Sequence, residues 1–226
     1  MTSTLQPTPR TTVVRGRHRA VEERTALFDL LADALIAHVG VVVDGEPRVL
    51  PTAFGVDPEG PDAGGTLYLH GSVAARWLTA AVGATACVTV TELDGLVTAR
   101  SGFHHSMNYR SAVVIGTVRE VPDPAERARA LDLIVDQMVP GRAATLRSHT
   151  RKELAATLVL ALPLHEASVK ARAGDPVDDE DDVAAGVWGG HLPVVRTIGA
   201  PVSAEDSHDR VPADVRARTS PAAEAL

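Results

Sequence analysis

Cysteine is nearly absent from this sequence: Cys87 is the only one in 226 residues. That excludes an internal disulfide framework and a cysteine-rich metal site, since both need more than one thiol. Aromatic residues are almost as scarce, at 3%, so the core must be filled by Val, Leu and Ala. No uninterrupted apolar run approaches the roughly 20 residues of a membrane-spanning helix, and no membrane association is expected. The opening residues, MTSTLQPTPRTTVVRGRHRA, carry basic side chains but no apolar stretch. They do not read as a secretory signal, and the cytoplasm is the expected location. Lysine occurs only as Lys152 and Lys170. The formal net charge is −7, but six acids fall within residues 175–182, so the rest of the chain carries only −1. The basic footprint that nucleic-acid binding needs is missing, and no nucleic-acid partner is expected.

What is present is a chain long enough for one domain with a substantial core. Residues 1–20, rich in Thr, Pro and Arg, read as a mobile arm, 21–196 as the ordered body, and 197–226 as a disordered Ala/Pro/Ser/Asp-rich tail. Leu27, Leu30, Leu31, Ala34 and Leu35 lie on one stripe of a helix expected over 22–37. Strands are expected at 39–43 and 48–54 around the turn Asp44-Gly45-Glu46-Pro47, then at 66–70 after a Gly/Pro/Asp loop. Ser72 is placed as the cap of a helix to Ala81, ended by Gly83. Strands at 85–91 and 96–101 flank Asp94-Gly95, read as a hairpin turn, and a polar insert, 102–110, leads into a strand at 111–121. Pro124 opens a helix to Val139, and strands at 156–162 and 166–171 complete the body. The acidic run 175–182 reads as solvated, followed by a last segment, 185–195. About seven short strands joined by tight turns predict a mainly β, antiparallel barrel or sandwich with peripheral helices. The links are too short for parallel crossovers.

Four segments could carry chemistry. In 67–78, LYLHGSVAARWL, a helix start after His70, Gly71 and Ser72, with Arg76 on the same face, offers a phosphate cradle. It is neither a Walker loop nor a dinucleotide fingerprint. In 100–114, RSGFHHSMNYRSAVV, the side chains of His104, His105, Ser106, Asn108, Tyr109 and Arg110 are placed at one rim of the sheet, as donors for a phosphate or a heteroaromatic edge. His104 and His105 are neighbours that point apart in extended chain, so no metal site is expected. Thr52, Ala53 and Phe54 end the second strand, where backbone groups could meet a planar ligand, and Trp188 is an isolated large ring after the acidic run. Six of the seven aromatics, Phe54, Tyr68, Trp77, Phe103, Tyr109 and Trp188, lie in or beside these segments. A serine-nucleophile motif is missing, and Cys87 sits in a strand pattern where an inert thiol is expected.

The pieces LYLHGS, VTVTELDGLVTARS, FHHSMNYRSAVVIG and ELAATLVLALPLHEASVKARAGDP, in this order, resemble the pyridoxamine 5′-phosphate oxidase superfamily, in the branch of flavin-nucleotide-binding and nitroimidazole-reductase-like flavoproteins. The resemblance implies an FMN-binding split β-barrel that works as a homodimer with FMN at the subunit interface. It places Leu69, His70, Gly71, Ser72 and Arg76 at the FMN phosphate. Ser106, Met107, Asn108, Tyr109 and Arg110 would line the ribityl and phosphate region, Thr52, Ala53 and Phe54 would meet the isoalloxazine, and Trp188 would approach the flavin. One departure stands out: the basic pair expected for the phosphate is here Arg76 alone, preceded by Ala74 and Ala75. The activity implied is reduction of a small planar acceptor, such as a nitroaromatic or quinone, with electrons from NAD(P)H. His70 and His104 are the candidate catalytic proton donors, since histidine titrates near neutral pH. A deazaflavin-dependent reductase and a non-catalytic flavin or haem carrier are the alternative readings.

Overall fold

In the computed structural model of the chain, residues 4–219 are described; of the expected arm and tail, residues 1–3 and 220–226 lie outside the described residues. Among the described residues eleven strands form two sheets, and every pairing is antiparallel. In chain order the elements are β1 (Ala20–Val21), α1 (Arg24–Asp33), β2 (Ala37–Val43), β3 (Glu46–Thr52), β4 (Phe54–Asp57), β5 (Thr66–Ser72), α2 (Arg76–Ala81), β6 (Thr85–Thr98), β7 (Ser106–Thr117), β8 (Arg119–Glu120), α3 (Pro124–Met138), α4 (Arg151–Ala156), β9 (Thr157–Pro163), β10 (Ala167–Arg172), α5 (Glu180–Ala184), β11 (Gly190–Pro193) and α6 (Ala213–Ala217). The larger sheet runs β1-β10-β7-β6-β2-β3, with β11 added to β6, and the smaller runs β4-β5-β9-β8. The chain crosses between sheets at Ala53 and again at Val118, which closes the two into a split barrel. No helix is long and apolar enough to cross a membrane among the described residues.

Local chemistry explains most of these elements. Strand β2 alternates buried and exposed residues, as a strand with one face on the core does. Asp44 and Gly45 both take positive φ, 56° and 82°, and Val43 pairs with Glu46. This is the two-residue hairpin whose twist matches the flanking strands. Pro124 opens α3, and the Asp123 carboxylate accepts the Glu126 N–H at 2.7 Å. Strand β5 is buried on both faces. Leu67 and Leu69 belong to the barrel core, while Tyr68 packs under α3 with Ala130, Leu131 and Ile134. Its hydroxyl donates to Glu126 at 3.0 Å, and Arg119 ties Glu126 to Asp62 at 2.5 and 2.7 Å. Burial, then Glu126, pushes the Tyr68 phenol up to about 12. Gly55 lets α3 lie against β4, since a Cβ there would stand 2.8 Å from the backbone of Leu133 and Ile134.

Several boundaries differ from expectation. The first helix ends at Asp33 rather than residue 37, because Ala37 already pairs with Thr52. The expected strand 48–54 is divided between sheets as β3 and β4, and 111–121 is likewise divided as β7 and β8. Asp94-Gly95 is no turn: β6 runs through it with a bulge between Leu93 and Gly95, and the true hairpin loop lies at 99–105. Helix α4 was not expected, although Thr150 and Glu153 form a capping box. Within the stretch read as an arm, Leu5 is buried and Thr8 and Arg10 both bond Glu166, Arg10 at 2.5 Å. Within the stretch read as a tail, α6 is tied to the body by Asp214 and Arg142 at 3.4 Å and by Arg218 donating to the Met138 carbonyl at 2.7 Å.

Candidate functional site

The crossing from β3 to β4 and the end of β5 lie side by side. Phe54 pairs with Leu69, and both side chains are sealed in the core. Neither ring nor isobutyl group can touch a ligand, so Thr52, Ala53 and His70, all half-buried, are the groups open to one. No hydrogen bond reaches His70 among the described side chains, and its Nδ1 is closed off from solvent. Burial lowers its pKa below the ordinary histidine value. The imidazole is therefore neutral near pH 7, the form that coordinates a metal. The unfolded chain takes up this proton near the ordinary value of about 6.5 and the native chain only at lower pH. Stability should therefore fall as pH drops below about 6.5. Urea melts of the ligand-free wild type and of ligand-free His70→Gln at pH 7.5 and 5.5 check this, with the variant losing less on acidification.

The helix start does not form where it was expected. Ser72 is the last residue of β5, because its pairing with Thr157 of β9 carries the strand two residues beyond His70. Its hydroxyl accepts the Ala74 N–H at 3.2 Å, and α2 begins only at Arg76, with Ala75 in the cap position and no side-chain cap. Arg76 reaches instead to Asp44 of the β2–β3 turn, at 2.8 Å. Gly71 serves packing rather than a turn: a Cβ there would meet the Leu78 methyl at 2.5 Å. The predicted cradle of Ser72 and Arg76 is thus not assembled within the chain.

The rim at the β6–β7 turn is richer than the sequence indicated. Strand β7 starts at Ser106, so its side chains alternate. Asn108 is buried and accepts a hydrogen bond from Arg172, whereas Met107 is exposed and Tyr109 half-exposed. Arg110 donates to Asp94 at 3.0 and 3.1 Å and to Asp33 at 2.7 Å, which raises its pKa and answers its charge. Asn108 and Arg110, two of the residues expected along the ribityl and phosphate region, are thus engaged by partners within the chain. His105 donates from Nδ1 to the Ser101 carbonyl at 2.8 Å, and His104 lies 3.4 Å from Asp179. The Phe103 ring stands edge-on to His104, with centroids 5.1 Å apart. His70 is on the smaller sheet and His104 on this turn of the larger, so within one chain they do not share an element.

The acidic run is not simply solvated. Asp178 accepts the Arg100 N–H at 2.9 Å and its guanidinium at 2.8 Å, with no exposed side-chain surface. Burial raises the pKa of this carboxyl, but the Arg100 bonds outweigh that and hold it below the ordinary value. Arg100 also donates to the Val187 carbonyl at 2.9 Å, and the following strand β11 pairs with residues 95–98 of β6. Trp188, 66% exposed, is thereby held beside the rim. Arg19, Arg100 and Arg172 carry no motif; the one available signal was Arg172, at the end of β10 just before the acid-rich run. No group of three or more His, Cys, Asp or Glu side chains is gathered for a metal ion among the described residues.

The family model for pyridoxamine 5′-phosphate oxidase matches residues 23–171. Among solved structures, the flavocytochrome Anf3 from Azotobacter vinelandii is 35% identical, with 93% of this chain and 97% of that one covered and a TM-score of 0.85. The FAD and haem binding protein from Mycobacterium smegmatis is 43% identical, with 89% and 97% covered and a TM-score of 0.82. A Bacteroides thetaiotaomicron protein assigned to 5-nitroimidazole antibiotic resistance shares the fold, at 23% identity over 67% and 85% and a TM-score of 0.53. No curated protein matches the chain. A barrel divided at Ala53 and Val118, and a family match that spans α1 to β10, lead to one statement: this chain belongs to the pyridoxamine 5′-phosphate oxidase family.

Proposed function

We propose that this chain is a redox protein that binds a flavin and a non-covalent haem and works as a homodimer. It would pass electrons from NAD(P)H to a small planar acceptor, nitroaromatic- or quinone-like. One observation carries the reading: the two proteins that match over 93% and 89% of the chain are a flavocytochrome and a FAD and haem binding protein. The His70 imidazole, neutral and without a protein partner, fits an iron ligand. Covalent haem attachment through Cys-x-x-Cys-His is excluded by the single cysteine. When bound, the flavin exchanges hydride or electrons with organic molecules and the haem exchanges single electrons. FMN is the flavin that the sequence resemblance implies, and the mass of the extracted flavin separates it from FAD.

The chain's own residues would divide the work as follows. His70 holds iron and, being neutral, is not a reservoir of protons. His104, 3.4 Å from Asp179, would be the proton donor to the acceptor at the rim. The backbone at Thr52 and Ala53, and the outward side chains of Met107 and Tyr109, orient the flavin, while Trp188 covers it from the β11 side. The flavin-binding body is residues 21–196. Val42, Val49, Leu96 and Met107 are 57%, 67%, 48% and 49% exposed on the larger sheet, and a second copy in the cytoplasm would cover them and complete each site. Anaerobic titration with NADPH or NADH tests the reading. Bleaching of flavin absorbance, a shift of the haem bands and reversal by a nitroaromatic or quinone are expected. A spectrum that neither nucleotide alters would contradict it.

A further inference from the structure

A cavity of about 550 Å³ opens where the β6–β7 turn meets the ends of β1 and β10, and the redox reading above uses only His104 of its lining. Two arginines line it. The Arg19 side chain makes no hydrogen bond or ion pair among the described residues, and its Nε is closed off from solvent. A buried guanidinium N–H without an acceptor is costly, and such a group calls for an anion. Arg172 donates to the Asn108 amide oxygen and to the carbonyls of Gly174 and Asp175, at 3.1 and 2.9 Å for the two carbonyls. All three acceptors are neutral, so its charge remains uncancelled. The one carboxylate of the lining, Asp175, is occupied by His191 of β11 at 2.8 Å. His105 stands at the same wall with Nδ1 bound to a carbonyl and Nε2 left over. At the mouth, Phe103 is 91% exposed, and its interplanar angle of 86° with His104 engages the pair edge to face, leaving ring surface for a flat ligand.

A doubly basic recess beside a bare aromatic ring matches a phosphate joined to a planar base. We infer that this cavity binds an adenosine phosphate group, with the phosphate against Arg19 and Arg172 and the purine on Phe103. Two molecules carry that group: the reduced pyridine nucleotide that serves as donor, and FAD itself. The choice between them rests on the redox reading, whereas the site does not. Calorimetric titration of the purified protein with AMP and with inorganic phosphate, in wild type, Arg19→Ala and Phe103→Ala, tests it. Arg19→Ala should weaken AMP binding at least tenfold, and Phe103→Ala should weaken AMP but not inorganic phosphate; the exposed Phe103 makes that variant safe for folding. If NAD(P)H is the source, its KM rises in both variants while the retained flavin is unchanged. If FAD is the source, AMP competes poorly, the extracted flavin is FAD, and both variants retain less of it. Should neither variant alter AMP affinity, nucleotide KM or FAD retention, the inference is overturned. Protein without any flavin but with Arg19-dependent AMP binding would overturn only the redox reading.

Discussion

Phe54→Ala should lower the free energy of unfolding by about 3–5 kcal/mol, the range for removing a fully buried aromatic ring. Phe54 is 0% exposed and opens β4 where the chain passes from one sheet to the other. Its ring therefore fills the seam of the split barrel, and the surrounding strands, hydrogen-bonded to fixed partners, cannot collapse into the hole. A urea melt reads the change as a lower midpoint with an unaltered slope. The same substitution separates two roles. If the ring contacted the flavin instead of the core, stability would hardly change and cofactor retention alone would fall.

His70→Ala should abolish haem binding while leaving the flavin in place. The side chain is half-buried and makes no hydrogen bond among the described residues, so the fold loses little with it. Loss of the Soret band with intact flavin absorbance is the expected spectrum, and His104→Ala should keep both. An unchanged Soret band in His70→Ala would move the iron to another ligand.

The contrast between two identical dipeptides shows what a sequence can and cannot convey. Asp44-Gly45 and Asp94-Gly95 both carry the strongest short-range hairpin signal. The first is a hairpin because nothing else competes for its backbone and both residues adopt positive φ. The second is drawn into a fourteen-residue strand by pairing with β7 on one side and β11 on the other, and the Gly95 position lies 3.2 Å from the Leu192 carbonyl when given a Cβ. Ser72 failed in the same way: a good capping residue remains a strand residue once β9 offers it a partner. By contrast Pro124, the strands over 157–172 and the antiparallel class were legible, since each rests on local chemistry or on short links. For the candidate site, spacing placed the segments along the chain but not their geometry. His104 and His105 lie on the β6–β7 turn, whereas strand alternation that starts at Ser106 turns Tyr109 to the face opposite Asn108 and Arg110. Arg19 and Arg172 meet His105 only through the tertiary closure of β1 on β10 on β7.

The proposed function makes a single demand of the molecule: a protein-bound chromophore on the barrel's outward groups. The most direct measurement is the absorbance spectrum of the purified protein, followed by mass spectrometry of what acid releases from it. Flavin bands together with a Soret band, and the masses of a flavin nucleotide and haem, are predicted. Colourless protein that takes up neither added flavin nor added haem would contradict the account.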